Sequence, residues 1–410
     1  IRRSRRGDPD NGWNPHYPEC TLLHSGRQPF GMERKYGFME YRYSRQVICF
    51  QTLTSPVSSG SGHASGKGAR MRNHEVTACQ PLLKKDGSLT EPGWSRSMVQ
   101  IYDRSKIRAP KFRIKEWDYY LVLSQDFAAA FTISDDGYIG LESASILDFT
   151  RPWEHTETIL KPFTMGRMHL PSNSMEGNTS YHDKKMHMRF EVQDGKRRIR
   201  CKWPSFFEGK EFSCDIILEE TQRDSMVIAT PWKEKKTAFY YNQKINCMRA
   251  KGRMRLGDRE FFFSPDTDFG TLDWGRGVWT YDNNWYWGSG NGVVGGKPFG
   301  FNIGYGFGDT SAASENILFY DGTGHKLDDV TFHIPSDSYM KTWTFTSSDG
   351  RFEMEFEPVI DRAAKMDVLV VGTDQHQVFG KMKGCAILDD GTALEIKDFM
   401  CFAEYVHNRY

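Results

Sequence analysis

RFEMEFE, residues 351–357, alternates without interruption: Phe352, Met354 and Phe356 fall on one side of an extended chain, and Arg351, Glu353, Glu355 and Glu357 on the other. Successive side chains of a strand point to opposite faces, so this run predicts a sheet with one buried and one wet face. Residues 342–346 repeat the pattern, with Trp343 and Phe345 set between threonines. Asp-Gly pairs at 86–87, 136–137, 194–195, 321–322, 349–350 and 390–391 punctuate the chain as hairpin turns. No long stretch carries a helical stripe, which argues against α/β folds with nucleotide-binding crossovers. An aromatic share of 14% with 38 glycines fits strands and turns equally well.

Residues 71–410 carry this patterning; residues 1–70 do not. The first seventy open with Arg2, Arg3, Arg5 and Arg6, hold 11 Lys and Arg against 5 Asp and Glu, and end in the Ser/Gly-rich run 55–68. They are expected to be a disordered extension, even one foreign to the native protein. The remainder holds 43 basic against 48 acidic residues, a mildly acidic balance that argues against a nucleic-acid or anionic-membrane surface. No apolar run reaches membrane-span length and no leader-like segment opens the chain, so an expected cytoplasmic protein without an integral membrane segment is the default. The eight cysteines show no CxxC spacing and read as buried thiols, with disulfides still open. His182 and His187 lack a carboxylate at metalloprotease spacing, and neither a metal nor a cofactor is expected.

A repeat sharpens the architecture. KGRMRLGD at 251–258 resembles KGCAILDD at 383–390, Asp268-Phe269 answers to Asp398-Phe399, and Asp273-Trp274 to Glu404-Tyr405. An offset of about 130 residues is the size of one small β-barrel, so two related barrels in tandem are expected.

The richest chemistry lies at 271–290, TLDWGRGVWTYDNNWYWGSG. Asp273 among Trp274, Trp279, Tyr281, Trp285 and Trp287 reads either as the acid of an aromatic-walled site, with Arg276 as its electrostatic partner, or as a barrel core with a structural Asp273–Arg276 pair. Trp285 and Trp287 share one strand face and Tyr286 takes the other. Trp117, Asp118 and Tyr119 read as a barrel mouth or as a capped strand start. His169, in the segment MHLPSNS at 168–174, is a candidate base, but no G-x-S-x-G elbow surrounds the serines. Asp309, Glu315 and Asn316 read as a polar cavity rim or a capped turn. The glycines of GFNIGYGFG at 300–308 lack the Lys-Ser/Thr of a phosphate loop.

Several of these phrases, taken in order, resemble a bacterial family catalogued as domain of unknown function 2804: Gly93-Trp94, Trp117-Asp118-Tyr119-Tyr120, DWGRGVW at 273–279, GYGFGD at 304–309, Glu315-Asn316, and Phe379-Gly380 through Phe402-Ala403-Glu404. The resemblance covers roughly residues 74–410; Met400-Cys401 stand where the family has a glycine. It implies a pair of lipocalin-like barrels, a fold shared with carotenoid hydratases of the hydroxyneurosporene synthase type and with barrel-paired cyclases. The expectation is an all-β protein with a first lipocalin-like barrel over 71–275 and a second over 276–410. A lipophilic small-molecule ligand (polyene, isoprenoid or acyl) inside or between the barrels is expected, with Asp273 as proton donor in hydratase, isomerase or cyclase chemistry. Two other readings stand beside it: a carbohydrate-binding or carbohydrate-processing protein using Asp273 with Asp118 or Asp309, and a non-catalytic scaffold.

Overall fold

The alternating run at 351–357 lies at the start of one of the longest strands of the protein. The computed structural model describes residues 73–368 and 371–409, and the expectation for residues 1–70 falls outside them. Three short strands come first (β1, Gln80–Pro81; β2, Gly93–Ser95; β3, Gln100–Ile101). Nine of the strands that follow form an antiparallel meander and its return: β4 (Ile114–Leu123), β5 (Phe127–Asp135), β6 (Ile139–Asp148), β7 (Trp153–Pro162), β8 (Asn178–His182), β9 (His187–Gln193), β10 (Lys196–Phe207), β11 (Lys210–Glu219) and β12 (Met226–Trp232). The 22-residue β13 (Lys235–Leu256), β14 (Arg259–Phe263) and β15 (Phe269–Val278) complete the first sheet, in the order β7-β6-β5-β4-β15-β13-β11-β10-β9-β8, with β12, β14 and β2 added beside this path.

The second sheet takes the rest: β16 (Asp282–Val294), β17 (Lys297–Tyr305), β18 (Ile317–Tyr320), β19 (Thr323–Lys326), β20 (Val330–His333), β21 (Trp343–Ser347), β22 (Phe352–Val368), β23 (Val371–Ile387) and β24 (Ala393–Arg409). Its order is β19-β18-β17-β16-β24-β23-β22-β21-β20. In both sheets the last strand returns to pair with the first long one, β15 with β4 and β24 with β16. The protein is therefore all-β, two curled, lipocalin-like barrels in tandem, with strand order matching around a shared topology. Among the described residues helix is limited to 3-10 turns at Arg104–Lys106 and Lys111–Arg113, and none is long and apolar enough to cross a membrane.

The repeat has a backbone cause. Gly252 in β13 and Gly384 in β23 adopt φ of +139° and +150°, and a Cβ on either would stand 2.2 Å from Asp215 O or 2.1 Å from Glu353 O. Only glycine fits where a strand bends that close to its neighbour, so the paired Lys-Gly dipeptides mark equivalent bends.

The second barrel is filled by apolar side chains, among them Phe301, Trp343, Phe345, Phe352 and Phe356. A bulge in β13 ties the barrels together. Asn246 donates to Ser289 Oγ (2.8 Å), Asn291 Oδ1 (3.0 Å) and Phe301 O (3.1 Å), and Cys247 N–H donates to Asn291 Oδ1 (2.8 Å). These groups are buried and largely paired with one another, which fixes the second sheet against the first. Cys201, Cys214, Cys247 and Cys401 are buried, unbridged thiols, as expected, and Cys79 is exposed. Met400 and Cys401 sit buried in β24, just after a bulge at which Asp398 takes φ +46°.

Candidate functional site

Strand parity decides what meets what. On β4, Lys115, Trp117 and Tyr119 face one way, and Glu116, Asp118 and Tyr120 the other; on β15, Asp273 and Gly275 oppose Leu272, Trp274 and Arg276. The first set, together with residues of β5–β7, β16 and β22–β24, lines a cavity of about 640 Å³ between the two barrels.

Its aromatic wall is assembled from both sheets. Trp279, in the crossover between β15 and β16, meets Trp117 edge-on at 5.9 Å between ring centres and Trp285 at 5.2 Å. Tyr119 meets Trp287 edge-on at 6.0 Å. Tyr240 stacks on Phe307 at 4.8 Å behind them. Facing this wall, the outward sides of β5, β6 and β7 contribute the hydroxyls of Thr132, Ser134, Ser143, Thr156 and Thr158.

Four carboxylates line the cavity, Asp136, Glu154, Asp273 and Glu404, and the last two come from the strands that close the two barrels, β15 and β24. Asp273 on β15 lies directly opposite Lys244 of β13, whose buried ammonium is 2.8 Å from Asp273 Oδ1 and 3.9 Å from the centre of the Trp287 ring; Asn242 donates to the same oxygen at 2.5 Å. Glu404 on β24 takes a hydrogen bond from Trp285 Nε1 at 3.0 Å and one from Gln377 Nε2 at 2.9 Å. Burial pushes its carboxyl up to about 7, against the opposing pull of those two donors, Arg362 and Lys244. Behind the wall, burial likewise raises Glu315 to about 7, with Tyr240 O–H 3.5 Å away.

The structure brings together Trp117, Tyr119, Asp273, Trp279, Trp285 and Trp287, and it separates the rest. The expected Asp273–Arg276 pair does not form: three residues apart on a strand, the two side chains point to opposite faces. Arg276 is instead buried on the other side of the sheet, donating to Asp118 Oδ1 at 3.0 Å and to the carbonyls of Trp117 and Pro171, with Trp274 stacked 4.1 Å from its guanidinium carbon. Asp118 also accepts from Thr179 Oγ1 at 2.5 Å, so its carboxylate is spent inside the first barrel. His169 lies in an exposed turn and Tyr281 at the exposed crossover. Asp309 lines a separate surface hollow near Lys233. Asn316 supports backbone, accepting from Gly304 N–H (2.7 Å) and donating to Asp328 O (2.8 Å). Glu404, Lys244 and Gln377 were not singled out as site residues. The repeat, which sets Glu404-Tyr405 against Asp273-Trp274, and the family-like phrase Phe402-Ala403-Glu404 were the signals that pointed to Glu404.

Residues 73–410 match the model of the family described as domain of unknown function DUF2804, and the chain belongs to that family. No curated protein matches the chain. Among solved structures it is similar to kievitone hydratase from Nectria haematococca, at 10% identity over 80% of this chain and 98% of that one, with a TM-score of 0.44. It is also similar to a protein assigned as AttH from Nitrosomonas europaea, at 12% identity over 74% and 95%, TM-score 0.45, and to CghA bound to Sch210972, at 8% identity over 73% and 89%, TM-score 0.38.

Proposed function

We propose that this member of the DUF2804 family holds a flat, lipophilic small molecule between its barrels and protonates it from Glu404. The observation that carries the reading is the buried Glu404 carboxyl opening onto a wall of indole rings, where burial pushes it up to about 7. A neutral acid in a poorly solvated cavity can donate to an alkene or enol carbon, and the ring faces stabilise the cation that forms. The cation then takes up water, with loss of a proton, in a hydration, or loses a proton from a neighbouring carbon in an isomerisation. Asp273, held beside Lys244 and Asn242, supplies fixed negative charge near that cation, or accepts the released proton. The donor role falls to Glu404 because Asp273 is already engaged by the Lys244 ammonium at 2.8 Å and by the Asn242 amide.

The test begins with native mass spectrometry of the purified chain and extraction of any co-purifying molecule. A bound polyene, isoprenoid or acyl compound is expected. Turnover of that compound by Glu404→Gln should fall by about a hundredfold or more, with binding retained, and activity should be lost as the pH is raised through about 7. Undiminished turnover by Glu404→Gln removes it as the donor.

The hydroxyl strip facing the rings supports a second reading, a sugar stacked on the indoles with Asp273 and Glu404 as its carboxylate pair. A mass shift with soluble glycans and none with lipids would select it.

A further inference from the structure

We propose that the surface formed by residues 104–115 and 160–168 docks on an anionic lipid bilayer. Residues 104–115 hold six Lys and Arg and no Asp or Glu, and residues 160–168 add Lys161 and Arg167, again with no acid. The fold packs the two segments together around the turn at Gly137. A Cβ on Gly137 would stand 2.6 Å from Lys111 O, Phe163 N–H donates to Tyr138 O (2.7 Å) and Met165 N–H to Gly137 O (2.9 Å), and Gly166 lies against the Arg104 guanidinium.

Buried Glu116 takes up Arg104, and Asp103 lies 4.0 Å from Lys106. Among the described residues Arg108, Lys111 and Arg167 make no ion pair, and all three are exposed. Two large apolar side chains stand among these cations, Phe112, 47% exposed, and Phe163, 61% exposed, and Leu160, 48% exposed, lies on β7 three residues before Phe163. Phe163 does so from a left-handed backbone, φ +56°, a conformation that a bulky side chain rarely adopts. A strained phenylalanine that presents its ring to solvent adds nothing to the core.

Cations ringed around projecting aromatics match an interface whose headgroups are negative and whose acyl boundary lies a few ångströms below. The mildly acidic average of residues 71–410 does not oppose this, because at physiological salt a headgroup senses charge within about 8 Å rather than the whole molecule. The patch also adjoins the end of the cavity lined by Lys115, Asp136 and Tyr138. Docking itself stands apart from the chemistry of that cavity; only its consequence, that a lipophilic ligand enters from the bilayer, rests on the function proposed above.

The experiment is co-sedimentation of the full chain with vesicles of phosphatidylcholine alone and of phosphatidylcholine with phosphatidylglycerol. Binding is expected only to the anionic vesicles, weakened by high salt. Phe112→Ser with Phe163→Asn, the latter suited to positive φ, should lower the partition coefficient about tenfold or more, and Lys111→Glu with Arg167→Glu should do the same. The near-ultraviolet circular dichroism of each variant checks the fold, and Glu404→Gln, run alongside, should bind as the wild type does. No binding to anionic vesicles overturns the proposal. So does wild-type binding by both double variants, which would place the attachment elsewhere, for instance in the arginine-rich residues 1–6.

Discussion

The two barrels place an acid at the same point of the same strand and surround it differently. In the first, Asp273 on β15 lies between Tyr119 of β4 and Lys244 of β13; in the second, Glu404 on β24 lies between Trp287 of β16 and Gln377 of β23. The flanking strands correspond, and so do the rings two residues earlier, Trp117 and Trp285, which meet the two sides of Trp279. What differs is the neighbour across the strand. Lys244 supplies a full positive charge 2.8 Å from its acid, whereas Gln377 supplies an amide hydrogen bond. Asp273 is in contact with a buried ammonium, whereas Glu404 takes its hydrogen bonds from neutral donors and burial pushes its carboxyl up to about 7. The two halves thus set two acids into one cavity with different cross-strand partners, a cation for Asp273 and an amide for Glu404.

Removing the charge from the first half should have the largest effect. Lys244→Met leaves the Asp273 carboxylate buried with Asn242 as its remaining close donor, which should cost about 3–5 kcal/mol in denaturant unfolding. Adding Asp273→Asn to that variant should recover most of the loss. A single-variant cost under about 1 kcal/mol would mean that the pair does not anchor this side of the cavity.

Converting the second half into the first is the sharper test. Gln377→Lys should draw the Glu404 carboxyl down from about 7 by about 1–3 pH units, as an opposite charge at contact distance does. The effect on stability has a definite sign. In the wild type the folded state binds the Glu404 proton more tightly than the unfolded state, so its stabilisation is fully present below the ordinary carboxyl value near 4.5. It is lost as pH rises to about 7, a decline of about 3 kcal/mol over that window from this group. Buried Glu142 and Glu315, also raised to about 7, add to the same slope. In Gln377→Lys the slope between pH 5 and 7 should flatten and the high-pH limb of turnover should move down. An unchanged slope would assign the titration to Glu142 and Glu315 alone.

Much of this arrangement was legible before any coordinates. Alternation at 351–357 and the Asp-Gly turns imply antiparallel sheets, the Lys-Gly repeat implies two of them, and parity places Trp285 and Trp287 together with Tyr286 behind. Tyr286 indeed stacks on Tyr305, 4.5 Å away, on the side of the second barrel's core. The site was less legible because its electrostatics are non-local. Glu404 sits in a run with no cluster of tryptophans, and the burial that gives its carboxyl a high affinity for its proton comes from packing against residues distant in sequence, among them Trp285 and Gln377, 119 and 27 residues away, whose own hydrogen bonds pull the other way. The pairing of Asp273 with Arg276 failed for a local reason. Three residues apart is a neighbourly spacing on a helix, whereas on a strand an odd offset puts the two side chains on opposite faces.

The smallest expected effect concerns the rings rather than the acids. Gly275, between Trp117 of β4 and Asn242 of β13, has no side chain, and the Trp117 ring lies across it: a Cβ there would stand 2.0 Å from the ring's Cζ2. The corresponding position in the second barrel is Val406, opposite Trp285. A valine leaves no room for an indole laid across the strand, and Trp285 instead turns its N–H to Glu404. The glycine therefore makes Trp117 a flat platform, and the valine goes with a Trp285 that binds the acid. Gly275→Ala should drive Trp117 off its strand at a cost of about 1–3 kcal/mol, change tryptophan fluorescence, and weaken ligand binding without moving the pH limb set by Glu404. If ligand affinity and fluorescence both survive, Trp117 has room to tilt, and the asymmetry between the barrels resides in Lys244 and Gln377 alone.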